Sequence, residues 1–310
     1  MRISKCGLSL CLLCVSFCLC VPAVHAQVEY GTSAGAVAYI APFIISDSDL
    51  NLWETSASAH AELLDVVADA EAQMNKVSSL SEVIYSTYDS YDSSAWSENT
   101  FFWDTFDVTS GSLPNGTGTT VTFVIGLDAS LQASSSDSIG ALDVVSAMTV
   151  EVYTVTLTGG VPADDTLLFS GTAVLDAVDG LEAPDDLTPG DFNVQAISGG
   201  YVATLAGYQT NIDVSTTVGS QISLRFSVDT LADAFSGLSD VTAIADLQDS
   251  LRLLEVQTED EVEVSNASGA PIPPVSLGIA PVLVTVLPTI GAVLLARRPR
   301  KAHGRRSMTA

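Results

Sequence analysis

The central part of this chain almost lacks cysteine, histidine and cations, and each absence excludes a kind of chemistry. All five cysteines lie between Cys6 and Cys20, and His60 is the one histidine between residues 27 and 270. This region therefore contains no disulfide, no thiolate nucleophile and no cysteine-ligated zinc. A single imidazole cannot build a histidine metal site, and a Ser-His-Asp hydrolase would depend on His60 alone. Because His60 lies in an alternation of alanine and serine, we predict that it faces solvent.

The scarcity of cations leaves the central region strongly acidic. Of the 11 Lys and Arg residues, eight lie in the first five or the last fourteen positions, which leaves Lys76, Arg225 and Arg252. All 37 Asp and Glu residues lie between Glu29 and Glu263, so this region carries 3 − 37 = −34. Such a region cannot displace counterions from nucleic acid phosphates, and it repels anionic lipid. We therefore exclude nucleic acid as a partner.

The first 26 residues have the three parts of a secretory signal peptide. Arg2 and Lys5 form the positive start, residues 8–21 form the apolar stretch, and Val24-His25-Ala26 is a small-residue cleavage site. We predict cleavage after Ala26, which leaves 310 − 26 = 284 residues that begin at Gln27. Cleavage also removes every cysteine of the chain.

The C-terminal region has the features of a membrane anchor. Residues 275–296 are 22 residues without a charge, and a helix of that length covers about 33 Å, enough to cross a bilayer core. A basic block follows at once: Arg297, Arg298, Arg300 and Lys301. By the positive-inside rule we predict a single transmembrane helix, with the tail 297–310 in the cytoplasm and the acidic domain 27–270 outside.

A proline-rich motif precedes this span and suggests a family. Pro271-Ile272-Pro273-Pro274, the apolar span and the basic end resemble, in that order, the PEP-CTERM sorting signal of exported bacterial proteins. Residues 108–117 and 245–253 are also similar to segments common in such proteins. The family has a glutamate where Ile272 stands. The resemblance implies a sorting motif at Pro271, Pro273 and Pro274, an exosortase as partner, and a location at the membrane, the cell surface or outside the cell.

Alternation of apolar and polar residues is the main structural signal in the acidic domain, where we find no internal repeat. It predicts strands within residues 119–127, 149–157, 167–175, 201–205, 212–218 and 222–228. Glycine, proline and asparagine clusters separate these runs, as in Pro114-Asn115-Gly116 and Ser198-Gly199-Gly200. Several short strands with this spacing predict an all-β fold, an antiparallel β-sandwich of jelly-roll-like type.

Residues 52–80 fit two patterns. Residues 53–63 alternate as a strand does. A helical stripe also fits part of this segment, and its members are Leu63, Val66, Val67, Ala70, Met74 and Val77. We favour strands at about 52–62 and 68–77, with a helix over 57–80 as the alternative.

Calcium is the metal that the acidic domain favours, since calcium prefers several oxygen ligands. The densest acidic patch lies on a segment with Gly180 and Pro184, which indicates a loop, and it consists of Asp176, Asp179, Glu182, Asp185 and Asp186. Residues 47–51 begin like an EF-hand loop, but Leu52 and Ser58 stand where that loop needs a glycine and an acid. A solvated acidic surface is the alternative for both segments.

Aromatic residues cluster between residues 85 and 106. Aromatic rings among acids can form a platform for sugars, whereas the alternative places Phe102 and Phe106 in the core and the tyrosines at a strand edge. The members are Tyr85, Tyr88, Tyr91, Trp96, Phe101, Phe102, Trp103 and Phe106.

Three functions fit these observations. The first is a non-enzymatic exported protein of the cell surface or extracellular matrix, held by its C-terminal anchor. The second is an adhesion module that binds calcium or an extracellular polysaccharide. The third is a carboxylate-dependent glycan hydrolase, which needs only two suitably spaced acids. We favour the first and expect no catalytic residues and no obligatory cofactor.

Overall fold

The computed structural model describes residues 29–85, 92–136, 144–158, 161–234 and 240–272. Several predicted features lie outside these residues: the signal peptide with Ala26, Tyr88 and Tyr91, Pro273 and Pro274, the span 275–296, and the basic block Arg297, Arg298, Arg300 and Lys301. The described residues all fall in a single compact unit.

Strands make up most of the described chain. The first seven are β1 (Gly31–Ile40), β2 (Phe43–Leu52), β3 (Ser56–Leu63), β4 (Val66–Gln73), β5 (Lys76–Tyr85), β6 (Ser93–Thr109) and β7 (Gly118–Ser134). The others are β8 (Val144–Thr158), β9 (Val161–Asp176), β10 (Gly180–Glu182), β11 (Asn193–Ile197), β12 (Gly200–Thr217), β13 (Gln221–Ala234), β14 (Val241–Thr258) and β15 (Glu263–Asn266). A short 3-10 helix spans Pro189–Asp191.

These strands form two antiparallel sheets. Sheet A has the order β10-β9-β8-β13-β6-β1-β2, and β15 pairs with the end of β6 that β1 leaves free. Sheet B has the order β11-β12-β7-β14-β5-β4-β3. The predicted all-β class with antiparallel sheets is thus confirmed. Five of the six segments predicted as strand lie within a strand, and the sixth, 212–218, extends one residue beyond the end of β12.

The core lies between the two sheets because one side chain in two points inward along each long strand. On β6, Phe102 and Phe106 are fully buried, as the core alternative for the aromatic cluster predicted. Phe102 stacks on Phe226 of sheet A with ring centroids 4.6 Å apart. Phe106 meets Phe123 of sheet B edge-on at 5.0 Å, so this pair joins the sheets. Burial of these rings contributes to the hydrophobic stabilisation of the domain.

A cluster of buried hydroxyls also connects the sheets. Thr230 of β13 and Ser97 of β6 meet Ser79 and Ser81 of β5. The Ser81 hydroxyl lies 2.8 Å from Thr230 Oγ1, and Ser97 Oγ lies 3.0 Å from the same atom. A buried hydroxyl without a partner is costly, so these bonds favour one alignment of the two sheets.

Within residues 52–80, the chain forms β3, β4 and the start of β5, so the helical alternative is wrong. Alanines on the inner faces explain this result, since they let β3 and β4 pack closely on β1: Ala34, Ala36, Ala38, Ala57, Ala59, Ala61, Ala68, Ala70 and Ala72. The strand predicted at about 52–62 begins only at Ser56, because residues 53–55 turn the chain from β2 into β3. The strand predicted at 68–77 has the wrong boundary, because a turn at Met74-Asn75 separates β4 from β5. Asn75 adopts φ 69°, a left-handed conformation that asparagine tolerates.

The two strands predicted at 201–205 and 212–218 are parts of one strand, β12. Only Val218 lies beyond its end. The pairing of β12 with β7 shifts between Leu205 and Tyr208, where Gly207 adopts φ 65°. Asp128 fixes this bulge, since its Oδ1 accepts the Gly207 N–H at 2.6 Å while Arg252 pairs with its other oxygen. A bulge thus interrupts the alternation without ending the strand.

Candidate functional site

The last described residues are fastened to the core at a buried carboxylate, Asp104, on the inner face of β6. Asp104 is fully buried and accepts four hydrogen bonds. Ser268 donates its hydroxyl at 2.5 Å and its N–H at 3.2 Å, Asn266 donates its amide at 3.0 Å, and Thr105 donates its N–H at 2.9 Å. Three of these four bonds come from residues 266–268. We name this group of four residues the C-terminal clasp.

The chain beyond the clasp runs from sheet A to sheet B. Asn75 of the β4–β5 turn donates its side-chain amide to the Pro271 carbonyl at 3.0 Å. Ile272 is partly buried against the core. The first proline of the predicted sorting motif is therefore held by a hydrogen bond, and the following isoleucine is held by packing.

The two ends of the described chain meet at Thr105. Its hydroxyl donates to the Glu29 carbonyl at 2.9 Å, and its carbonyl accepts the Ala267 N–H at 2.8 Å. Residue 29 lies close to the predicted start of the mature protein, and residue 267 lies close to the proline-rich motif. Glu29 and Ala267 therefore lie at neighbouring positions beside β6.

Burial raises the pKa of Asp104 above its ordinary value, and the hydrogen bonds from Ser268, Thr105 and Asn266 partly oppose this shift. The charge of an ionised Asp104 is thus stabilised by donors rather than by a cation. Loss of any donor leaves a buried carboxylate with less compensation.

The outer face of sheet A carries three further members of the aromatic cluster, Trp96, Phe101 and Trp103, whereas Tyr85 ends β5 of sheet B. The Arg225 guanidinium lies 5.1 Å from the centroid of the Phe101 ring and 5.0 Å from that of Tyr153. It also pairs with Asp164 at 2.9 Å. Trp103 is fully buried on this face, where its ring leaves no room for a side chain at Gly31. The side chains of this part of the face are thus engaged with one another.

A cleft lies further along the same face, where β6 bulges away from β13. The pairing shifts between Val228 and Thr230, and Asn99 adopts φ 55° in the bulge. We name this 330 Å³ space the β6 cleft; its lining includes Trp96, Glu98, Thr149, Asp229 and Leu231.

Asp229 is the unusual group of the β6 cleft. Its Oδ1 is buried and has no hydrogen-bond partner among the described residues. Burial is the main cause that raises its pKa to about 6; the Asn99 N–H opposes the shift, and the charge of Glu151 adds to it. This carboxylate therefore reaches the midpoint of its titration near pH 6 rather than near pH 4.

The five predicted calcium ligands lie around β9 and β10, where hydrogen bonds from the loop and from β9 engage three of them. Asp176 accepts the N–H groups of Val178 and Asp179, at 2.6 and 2.9 Å. Asp186 accepts the Ser170 N–H at 2.8 Å, and Asp185 accepts the Ser170 hydroxyl at 3.3 Å. Glu182 ends β10. Across the described ranges, no three acidic, histidine or cysteine side chains form a group that could hold a metal ion.

Residues 47–51 form the middle of β2 rather than a ligand loop. Asp47 accepts the His60 N–H at 3.1 Å, and Asp49 accepts the Ser58 N–H at 3.3 Å. These two acids of sheet A thus bond the backbone of β3, the edge strand of sheet B. Acids at this position protect an edge strand from pairing with another chain.

His60 is exposed, as predicted. Its Nδ1 is hydrogen-bonded to Asp69, and this bond is the main cause that raises the pKa of the imidazole; Glu62, 3.6 Å from Nε2, adds to it.

Sequence reasoning did not identify Asp104, Asn75 or Asp229 as important. Asp104 carried a signal, because it lies between Phe102 and Phe106 on the side of β6 that alternation places in the core. An acid at such a position needs buried donors. Asp229 carried a weaker signal, because its position on the outer face is ordinary for an acid.

In the described part of the chain, no helix is long and apolar enough to cross a membrane. No family model, no curated protein and no solved structure matches this chain.

Proposed function

We propose that this chain is a non-enzymatic, exported protein of the cell surface or extracellular matrix that is held by its C-terminal segment. In this proposal, a signal helix directs export, the two sheets form a jelly-roll-like extracytoplasmic domain, and residues 275–296 form a single transmembrane helix. An exosortase that recognises Pro271, Pro273 and Pro274 would process the anchor. The PEP-CTERM resemblance of the sequence is the basis for this partner.

The C-terminal clasp is the observation that carries the proposal. If a domain is attached to the membrane by its C-terminus, any force on the anchor reaches the domain through the residues that precede the anchor. Here Asn266 and Ser268 bond a buried carboxylate of sheet A. Pro271, the first residue of the proline-rich motif, bonds Asn75 of the β4–β5 turn in sheet B. Such a connection suits a folded domain that is displayed from a tether.

The experiment neutralises the basic block. Changing Arg297, Arg298, Arg300 and Lys301 to glutamine should move a large part of the protein from the membrane fraction to the medium, or make its orientation mixed. The four cations keep the tail in the cytoplasm because transfer through hydrocarbon is costly. Changing Arg305 and Arg306 alone is the matched control, with a smaller effect expected. Unchanged membrane retention without the four cations would contradict the proposed anchor.

A second pair of variants separates the sorting motif from the anchor. Changing Pro271 and Pro273 to alanine should leave insertion unchanged but reduce processing, because both residues lie before the span. A mature protein that ends at Ala310 in both the parent and this variant would contradict exosortase processing and leave a plain single-span anchor.

A further inference from the structure

A second depression, between β1 and β2, adjoins the β6 cleft at Glu98. This depression measures 300 Å³, and its lining includes Gly35 and Val37 of β1, Ser48 and Leu50 of β2, and Glu98 of the β6 bulge. Glu98 lines both spaces. Together they cross five neighbouring strands, in the order β2, β1, β6, β13 and β8. At a strand spacing of about 4.8 Å, this path is about 19 Å long.

Gly35 of β1 allows the close approach of the β6 bulge on which this path depends. A side chain at Gly35 would place its Cβ 2.6 Å from the Glu98 carbonyl oxygen, so only glycine lets the bulge lie against β1. The bulge in turn brings Glu98 and Asp229 into one cleft. Bulges commonly re-aim side chains in this way beside functional sites.

The chemistry of the lining limits what could occupy it. Trp96 and Leu231 are direct cross-strand partners and form an apolar surface, with Leu231 37% exposed. Around this surface stand the carboxylates of Glu98 and Asp229 and the hydroxyl of Thr149. A sugar ring matches this set, since its C–H face packs on an indole while its hydroxyls donate to carboxylates. One oxygen of Asp229 lacks a donor among the described residues, and a sugar hydroxyl is such a donor.

The negative charge of the domain disfavours anionic polysaccharides as ligands. With −34 on the central region, a polyanionic polysaccharide is repelled at long range. Among the described residues, the lined path offers carboxylates and hydroxyls but no cation. A neutral chain needs no cation, and its hydroxyls use the acceptors that the cleft provides.

We propose that the β6 cleft and the adjoining depression bind a neutral polysaccharide, with one sugar ring on Trp96 and the chain lying across β2, β1, β6, β13 and β8. This site is separate from the C-terminal clasp and does not depend on how the chain is anchored. It gives the domain a partner in an extracellular polymer layer.

The test measures binding of the full-length chain in detergent to soluble β-glucan, mannan and galactan, with alginate as the anionic comparison. We expect binding to at least one neutral polymer and none to alginate. Trp96→Ala should weaken that binding at least tenfold. Trp53→Ala is the matched control, because Trp53 is exposed, packs on Tyr30 and does not line the cleft. Leu231→Gln should reproduce the loss if Trp96→Ala disturbs the fold.

Three results would overturn this site. They are no binding to any of the three neutral polymers, equal binding by parent and Trp96→Ala, or equal losses in Trp96→Ala and Trp53→Ala. Membrane retention is measured on the same preparations, so failure of the sugar site is distinguished from failure of the anchor. Release of reducing ends by the parent, lost in Asp229→Asn, would support the site and contradict a non-enzymatic function.

Discussion

At the residue scale, Asp229 links a buried charge to the stability of the domain. Its folded pKa of about 6 lies above the ordinary aspartate value of 3.8. Between these two values the folded state binds more protons than the unfolded state. The stabilisation is therefore complete below about pH 4 and is lost as the pH rises through about 6.

We predict that Asp229→Asn flattens this dependence. The parent should lose stability between about pH 4 and 6.5 in urea titrations, by an amount on the order of 2 kcal/mol beyond that of the variant. At pH 7.5 the variant should be the more stable of the two, because it carries no buried charge. Parallel pH profiles of the two proteins would show that Asp229 is not the titrating group.

For single residues, the sequence predicts burial but not the partners of a buried polar group. Alternation placed Phe102 and Phe106 in the core because inward and outward positions repeat along a strand. It could not supply the partners of Asp104, which lie more than 150 residues away at Asn266 and Ser268. Contacts of that kind depend on which strand ends meet, and local sequence does not specify this.

At the element scale, strand type was predictable and strand limits were not. Residues 68–77 read as one strand, because the turn at Met74-Asn75 interrupts neither composition nor alternation in an obvious way. The bulges at Gly207 and at Glu98 had the same effect, since a single extra residue changes pairing but not residue type. The β6 cleft depends on one of these bulges, so the sequence could offer its aromatic residues but not its shape.

The C-terminal clasp makes a prediction about β15 and the segment after it. Asp104→Ala removes the acceptor of the Ser268 hydroxyl, the Ser268 N–H and the Asn266 amide, so we expect a loss of about 3 kcal/mol in the free energy of unfolding. Hydrogen exchange over residues 263–272 should accelerate more than that over β7. Chemical denaturation and exchange mass spectrometry measure the two effects.

Asp107→Ala is the matched control for the clasp, because Asp107 lies on the same strand and accepts one bond, from Gln221 at 2.9 Å. We expect it to cost less than about 1 kcal/mol, since this bond is exposed. If both variants lose the same stability, or if exchange over residues 263–272 stays at the parental rate in Asp104→Ala, the segment does not depend on Asp104.

At the scale of the whole molecule, the net charge dominates the response to salt. The acidic domain repels itself, and any cation that screens its carboxylates should raise its Tm. Because the carboxylates of Asp176, Asp185 and Asp186 already accept hydrogen bonds from the loop or from β9, we expect calcium chloride and sodium chloride to raise Tm equally at matched ionic strength. Differential scanning calorimetry measures both. A larger rise with calcium, lost when Asp176, Asp185 and Asp186 become asparagine, would instead demonstrate the calcium site that the sequence suggested.

The exported, C-terminally held protein is the central claim, and one measurement tests it most directly: the intact mass of the mature protein from fractionated cells. We predict a species that begins at Gln27 and is found in the membrane or surface fraction, with a shortened C-terminus wherever the anchor has been processed. A full-length species that begins at Met1 and is found in the cytoplasmic fraction would contradict both export and anchoring.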